Sequence, residues 1–295
     1  MMGAPSDGGI EMTGTVDHTG TAIRTGHAPV NGLRMYYEIH GADRGADRSP
    51  VLLLNGAYMT TGDFGPLLPG LARAHTVVVT DLQGHGRTND ADRPITYEGL
   101  ADDAAALLAH LGIPSVDAVG FSLGGGVVLQ LAIRHPDVVR SLTMLSASFA
   151  SQGMQPELLE MIPAITPEMF AGSPMEATYR AVAPDPDRFP LLVEKLKALD
   201  ETPFAWPAAA VQRISAASLV VVGDADAVRA EHAVELFRLL GGGAMGDLSG
   251  LSNARLAILP GTTHFMPPGS GVLDRHEWLL PMLTDFLDGI AGPAG

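Results

Sequence analysis

Short runs of uninterrupted apolar residues alternate along the chain with stretches in which apolar residues recur every three or four positions. LRMYYEIHG (33–41) predicts an early strand. VLLLN (51–55) and HTVVVTD (75–81) are continuous aliphatic or β-branched runs, as in parallel strands covered on both faces. Between them the apolar spacing fits a helix over about 63–74. TYEGLADDAAALLAHLG (96–112) predicts a helix with Thr96 as N-cap and Gly112 as its stop. VDAVGF (116–121) predicts a strand, followed by a helix over about 123–134. SLTMLSAS (141–148), SLVVVGD (218–224) and RLAILPG (255–261) predict further strands, with helices over about 230–240 and 276–290.

Strand–helix alternation of this kind predicts an α/β domain with a mostly parallel central sheet and helices on both faces. Residues 150–216 break the rhythm with many prolines and four methionines, Met154, Met161, Met169 and Met175. The stretch is too long for a plain loop. It reads as a helical cap inserted into a core made of residues 21–149 and 217–295. Residues 1–20 read as a flexible tail. The glycine-rich LLGGGAMGDLSGLSN (239–253) reads as a long mobile loop and matches no phosphate-binding motif.

Composition narrows the function classes. Of 295 residues, 46% are hydrophobic and 17% charged, enough to form a sizeable core. A formal net charge of −15 opposes binding to nucleic acid and anionic lipid. The chain has no cysteine, which excludes disulfides, thiolate metal sites and a cysteine nucleophile. The first 20 residues lack a basic start and an apolar run, and no stretch of 18 apolar residues occurs. A cytoplasmic protein acting on a small molecule, away from membranes, is the expectation.

The chemistry centres on Gly120-x-Ser122-x-Gly124. A Gly-x-Ser-x-Gly pattern is weak alone, but this one follows a predicted buried strand and opens a predicted helix. Such a sharp turn crowds the backbone, and the two glycines remove side chains that would clash. Ser122 is then held at the tip as a nucleophile, and the Leu123 amide sits at a helix N-terminus where it can receive an oxyanion. A serine needs a base. Of ten histidines, His264 in LPGTTHFMP follows a strand end late in the chain, over the edge where open α/β sheets place their sites. The orienting carboxylate is expected just after the strand at 218–224, where VVVGDAD offers Asp224 and Asp226. Asp226 is preferred, because Asp224 is nearer the turn and better placed to bond local backbone. The strand at 141–148 ends in Ser146, Ala147 and Ser148 and carries no acid.

Taken in order, LLLNGAY (52–58), DLQGHGRT (81–88), GFSLGG, GDAD and PGTTHF resemble the motifs of the α/β-hydrolase superfamily, and the likeness runs from about 30 to 290. The resemblance implies the α/β-hydrolase fold, a serine hydrolase acting through an acyl-enzyme, and no metal or organic cofactor. It also implies the Ala57 amide as second oxyanion donor. The family usually has histidine where this chain has Asn55. Asparagine can still bond backbone there, with the donor then open between Ala57 and Tyr58. A serine nucleophile argues against dehalogenase and epoxide-hydrolase chemistry, in which that family uses aspartate.

Tyr58, Phe265 and Met266 beside the motifs, and Met161, Phe170 and Trp206 in the cap, are the candidates for an apolar substrate pocket. Packing of the cap onto the core is the ordinary alternative for any one cap residue. The expected reaction is hydrolysis of a carboxylic ester or lactone of a small, fairly apolar substrate. The same residues also serve acyl transfer, perhydrolysis or C–C bond hydrolysis, and a ligand receptor built on this fold is the reading from another class.

Overall fold

The computed structural model describes residues 13–16, 22–41 and 49–290. Its strands are β1 (Thr13–Val16), β2 (Ala22–Val30), β3 (Leu33–His40), β4 (Val51–Leu54), β5 (Val77–Thr80), β6 (Val116–Phe121), β7 (Val139–Leu145), β8 (Ala217–Ala225) and β9 (Ala254–Thr263). They form one sheet in the order β1-β2-β3-β5-β4-β6-β7-β8-β9. β1, β2 and β3 pair antiparallel, as does β3 with β5, and every later pairing is parallel. The helices are α1 (Leu67–Ala72), α2 (Tyr97–His110), α3 (Leu123–Arg134), α4 (Pro156–Met161), α5 (Pro174–Val182), α6 (Phe189–Glu201), α7 (Ala208–Gln212), α8 (Ala230–Leu239), α9 (Gly246–Ser249) and α10 (His276–Gly289).

The central strands are apolar without alternation because both faces are covered. Leu52, Leu54, Val78 and Ala118 join one core cluster, packed with Leu100 and Leu107 of α2, Val128 of α3 and Leu236 of α8. Their neighbours Val51, Leu53, Val77 and Val119 point the other way, onto Leu67 and Leu71 of α1 and Leu279 and Leu283 of α10. This period-two division is what a pleated strand imposes. Each such side chain, fully buried, contributes about 1.5–3 kcal/mol against the entropy of folding. Thr96 caps α2 by accepting from the Gly99 amide at 3.0 Å, worth about 1 kcal/mol.

β4 has β5 on one side and β6 on the other. The chain therefore reverses its direction of travel across the sheet at β4. The carboxyl ends of β4 and β6 consequently flank a crevice, the position in which open α/β sheets place their ligands.

The elements at 116–121 and 123–134 form with the expected bounds. Three expectations need correction. Within the stretch read as a tail, residues 13–16 form an edge strand whose backbone pairs with β2 from Thr13↔Thr25 to Val16↔Ala22; the rest of 1–20 lies outside the described residues. The single helix expected over 63–74 is two, a 3-10 turn at Thr61–Phe64 and then α1, because Gly65 at φ +50° and Pro66 break it. The glycine-rich stretch 239–253 contains the short helix α9.

Between β7 and β8 the chain leaves the sheet for α4, α5, α6 and α7. An antiparallel bridge between Ala150 and Ala205 closes its stem, with Ser151 N donating to Phe204 O and Trp206 N to Phe149 O. On its far side, Lys195 of α6 donates to both Asp90 carboxylate oxygens at 2.9 and 2.7 Å and to the carbonyls of Ala91 and Arg93. The insertion is thus tied down at its stem and through a largely buried ion pair.

Candidate active site

Ser122 alone separates the last residue of β6 from the first of α3. Its φ is +52°, a conformation that costs an L-residue energy and is held here by surrounding structure. The flanking glycines permit the turn. A Cβ on Gly120 would overlap the backbone of Gly124 and Gly125, and one on Gly124 would overlap the carbonyls of Leu54 and Asn55. The Ser122 amide is spent on Leu145 O at 2.8 Å, which fixes the turn to β7.

His264 follows the last residue of β9. Its Nε2 lies 2.9 Å from Ser122 Oγ and its Nδ1 2.7 Å from Asp226 Oδ1. The Phe121 ring lies 5.1 Å from the imidazole, centroid to centroid. Asp226, just past β8, is buried and accepts from four donors. His264 Nδ1 and the Val228 amide bond Oδ1; the Ser146 hydroxyl and the Gly223 amide bond Oδ2. Burial alone would raise the Asp226 pKa, but the bond from His264, its charge, and the bonds from Ser146 and Gly223 outweigh this and hold it below the usual carboxylate value. Asp224 does what its position near the turn suggests, accepting from the Gly261 and Thr262 amides.

The Leu123 amide opens α3, where a helix leaves its first N–H groups without intrahelical partners. Ala57 lies in the loop after β4, and its amide has no hydrogen-bond partner among the described residues. Asn55 is buried at the root of that loop and donates from Nδ2 to Met59 O at 2.6 Å and Gly56 O at 3.2 Å. Backbone bonding by Asn55, in place of the family's histidine, therefore shapes the loop. Asp81 ties it down further, accepting from the Thr61 and Arg87 amides, both at 2.8 Å.

Ser122, Leu123, Ala57, Asp226 and His264 all open onto one cavity of about 880 Å³. Its walls are mostly apolar, from Met154, Leu158, Ile162, Ile165, Leu196 and Leu199 of the insertion and Phe121, Ala147 and Val228 of the core. Among the described lining residues no lysine or arginine occurs. Of the six side chains expected to bind substrate, Tyr58, Met161, Phe265 and Met266 line this cavity. The last three are 51%, 40% and 60% exposed, which puts them at its rim.

Phe170 and Trp206 do not line it. Phe170 stands behind Tyr58, ring centroids 4.7 Å apart, and packs edge-on against Phe189. Trp206 stands behind Tyr97 and Phe204, at 5.3 and 5.0 Å, and is buried. Both rings bury apolar area between the insertion and the core, which is the ordinary fate of such residues. Ser146, Tyr97 and Asp200 reach the cavity unanticipated. Ser146 carried a signal, the first serine past a buried strand that pairs with the strand leading to Asp226. Asp200 carried one too, four residues after Leu196 on the same helix face.

The family model for the alpha/beta hydrolase fold matches residues 49–220, more than half of the chain. The chain belongs to the α/β-hydrolase superfamily. A pimeloyl-[acyl-carrier protein] methyl ester esterase of Neisseria meningitidis is 44% identical over 100 residues, 34% of this chain and 37% of that protein. A soluble epoxide hydrolase of a Corynebacterium species is 32% identical over 128 residues, 42% of each chain. The matched stretches span less than half the length of these curated relatives. The fold extends further: the enol-lactonase of Burkholderia xenovorans, 20% identical, superposes with a TM-score of 0.64 over 89% of this chain and 99% of that one.

Proposed function

We propose that the protein is a serine hydrolase that cleaves a carboxylic ester or lactone of a small, largely apolar substrate. The observation that carries this reading is the unbroken hydrogen-bond chain from Ser122 Oγ through His264 to Asp226. With Nδ1–H donated to Asp226, His264 presents Nε2 as an acceptor to the serine hydroxyl. Nε2 takes the Ser122 proton as Oγ bonds the carbonyl carbon, and the carbonyl electron pair moves to oxygen. The Leu123 and Ala57 amides receive that oxyanion. Collapse breaks the carbon–oxygen bond, and the leaving alkoxide takes the proton from His264. Water, deprotonated by the same imidazole, then releases the acyl group, so ester and water give acid and alcohol. A lone oxyanion donor is typically worth about 2.7–4 kcal/mol of barrier.

The helices between β7 and β8 serve as the cap. The apolar walls and the lack of lysine or arginine favour a substrate that is not anionic. The cysteine-free composition agrees with work in the cytoplasm, and no helix among the described residues is long and apolar enough to cross a membrane.

The test is a panel of para-nitrophenyl esters of rising acyl length, with simple lactones, assayed with wild type and Ser122→Ala. Hydrolysis that wild type shows and the variant loses supports the reading. Equal, slow hydrolysis by both overturns it, and tight binding of the panel without turnover favours the receptor.

A further inference from the structure

The cavity holds a charge that the hydrolytic mechanism does not use. Asp200, on the last turn of α6, faces the cavity on the same side of the helix as Leu196 and Leu199. Its carboxylate has no hydrogen-bond or ion-pair partner among the described residues, unlike Asp226 with four donors and Asp90 with Lys195. Tyr58 and Tyr97 line the same cavity, and neither phenol has a hydrogen-bond partner among the described residues. All three residues line the one cavity, and both phenols are raised in pKa, first by burial and then by the negative charge of Asp200. Burial alone pushes Asp200 up to about 6.

A partly buried carboxylate without a partner is costly, and folds keep such groups where something outside the chain pairs with them. The identity of that partner follows from three features. Its charge is positive, since the lining among the described residues holds no lysine or arginine and three carboxylates: Glu157 at the exposed rim, Asp200 and Asp226. Its body is organic and not a hydrated metal ion, since the walls are apolar. Aromatic rings line the same cavity as Asp200, with Tyr97 and Phe204 5.0 Å from one another, and their faces attract cations. The chain's net charge of −15 adds a field that draws cations in.

We propose that Asp200, with the Tyr58 and Tyr97 phenols, forms a subsite that binds an organic ammonium group carried by the substrate, making Asp200 a determinant of specificity. The assignment rests on the ester-hydrolase reading for its reaction, though not for binding. The ammonium pairs with the carboxylate while the phenol oxygens accept from its N–H groups or face its methyls. The rest of the substrate occupies the apolar walls.

Two measurements test it. The first compares kcat/KM for the para-nitrophenyl ester of a trimethylammonio-alkanoate with that of its carbon isostere, in which tert-butyl replaces trimethylammonium. Wild type should favour the cationic ester by roughly tenfold, what one ion pair outside bulk water supplies, and Asp200→Asn should bring the ratio to about one. The second is calorimetric binding of hexylammonium and of hexanol to folded wild type and Asp200→Asn. Hexylammonium should bind wild type roughly tenfold more tightly than hexanol does, and that difference should vanish in the variant. A ratio near one in wild type, or a preference that survives Asp200→Asn, overturns the subsite. Absence of Ser122-dependent turnover of either ester contradicts the hydrolase reading alone, and the binding experiment then decides the subsite.

Discussion

The Ser146 hydroxyl lies 2.5 Å from Asp226 Oδ2 and donates to it, while His264 bonds the other carboxylate oxygen. Ser146 sits directly after β7 at φ +54°, its amide bonded to Val221 O of β8. The loop end that carries no acid thus steadies the acid of the neighbouring strand. Ser146→Ala removes one of four donors to Asp226. It should lower kcat by about tenfold with little change in KM, and Asp226 should titrate at higher pH. A kcat–pH profile checks this: the acid limb of the variant moves upward relative to wild type. An unmoved limb means that Ser146 only packs.

The two aspartates after β8 should separate cleanly. Asp226→Asn keeps the shape of the side chain but favours the wrong histidine tautomer, a change worth about four orders of magnitude in kcat in a comparable serine–histidine–aspartate arrangement. Asp224→Asn disturbs only the amides of Gly261 and Thr262 and should cost far less. Steady-state kinetics of the two variants on one ester decide it. The reverse ranking would transfer the role to Asp224.

Asp200 should make stability fall with pH. Its folded pKa of about 6 exceeds the ordinary 3.8, so the folded protein holds a proton that the unfolded chain has released between those values. Stability is therefore lost as pH rises through that window and stays lost above it, by roughly 3 kcal/mol at most. Asp200→Asn should be more stable than wild type at pH 7.5 and no more stable below about pH 4. Urea unfolding at the two pH values measures the difference.

The insertion's hold on the core should depend on Lys195. Lys195→Met leaves Asp90 largely buried and without its closest cation, and breaking such a pair costs about 3 kcal/mol or more. The expected result is a lower urea midpoint and faster proteolysis within 156–201 than in wild type. Among the described residues, Arg188, with Nη2 3.5 Å from Asp90, is the remaining cation placed to take over part of the pairing. Lys195→Met with Arg188→Ala should accordingly lose more than the two single variants sum to.

The sheet's centre and the turn at Ser122 were legible because they are written locally. VDAVGF is buried at all six positions, and glycines stand where a Cβ would strike backbone. That Asp226 meets His264 while Asp224 bonds backbone also follows from position along the strand end. The β2–β3 hairpin is not among the expected elements, although Asn31 and Gly32, both at positive φ between its strands, carry the signal of a tight turn. β2, with its AIRTGHAPV mixture of polar and small residues, lacks the apolar run that marks the inner strands. Phe170 and Trp206 stand away from the cavity for a different reason. Whether an aromatic ring lines a cavity or stands behind the ring that does is decided by tertiary packing, here by Tyr58, Tyr97 and Phe204.

In the proposed reaction Ser122 Oγ forms a bond to the substrate. The most direct measurement is the intact mass and peptide map of the protein after reaction with an alkyl fluorophosphonate, which stops at the stage that resembles the tetrahedral intermediate. One adduct per chain, on the peptide bearing Ser122, with parallel loss of esterase activity and no adduct in Ser122→Ala, is the predicted result. An adduct on another residue, or full esterase activity in Ser122→Ala, would contradict it.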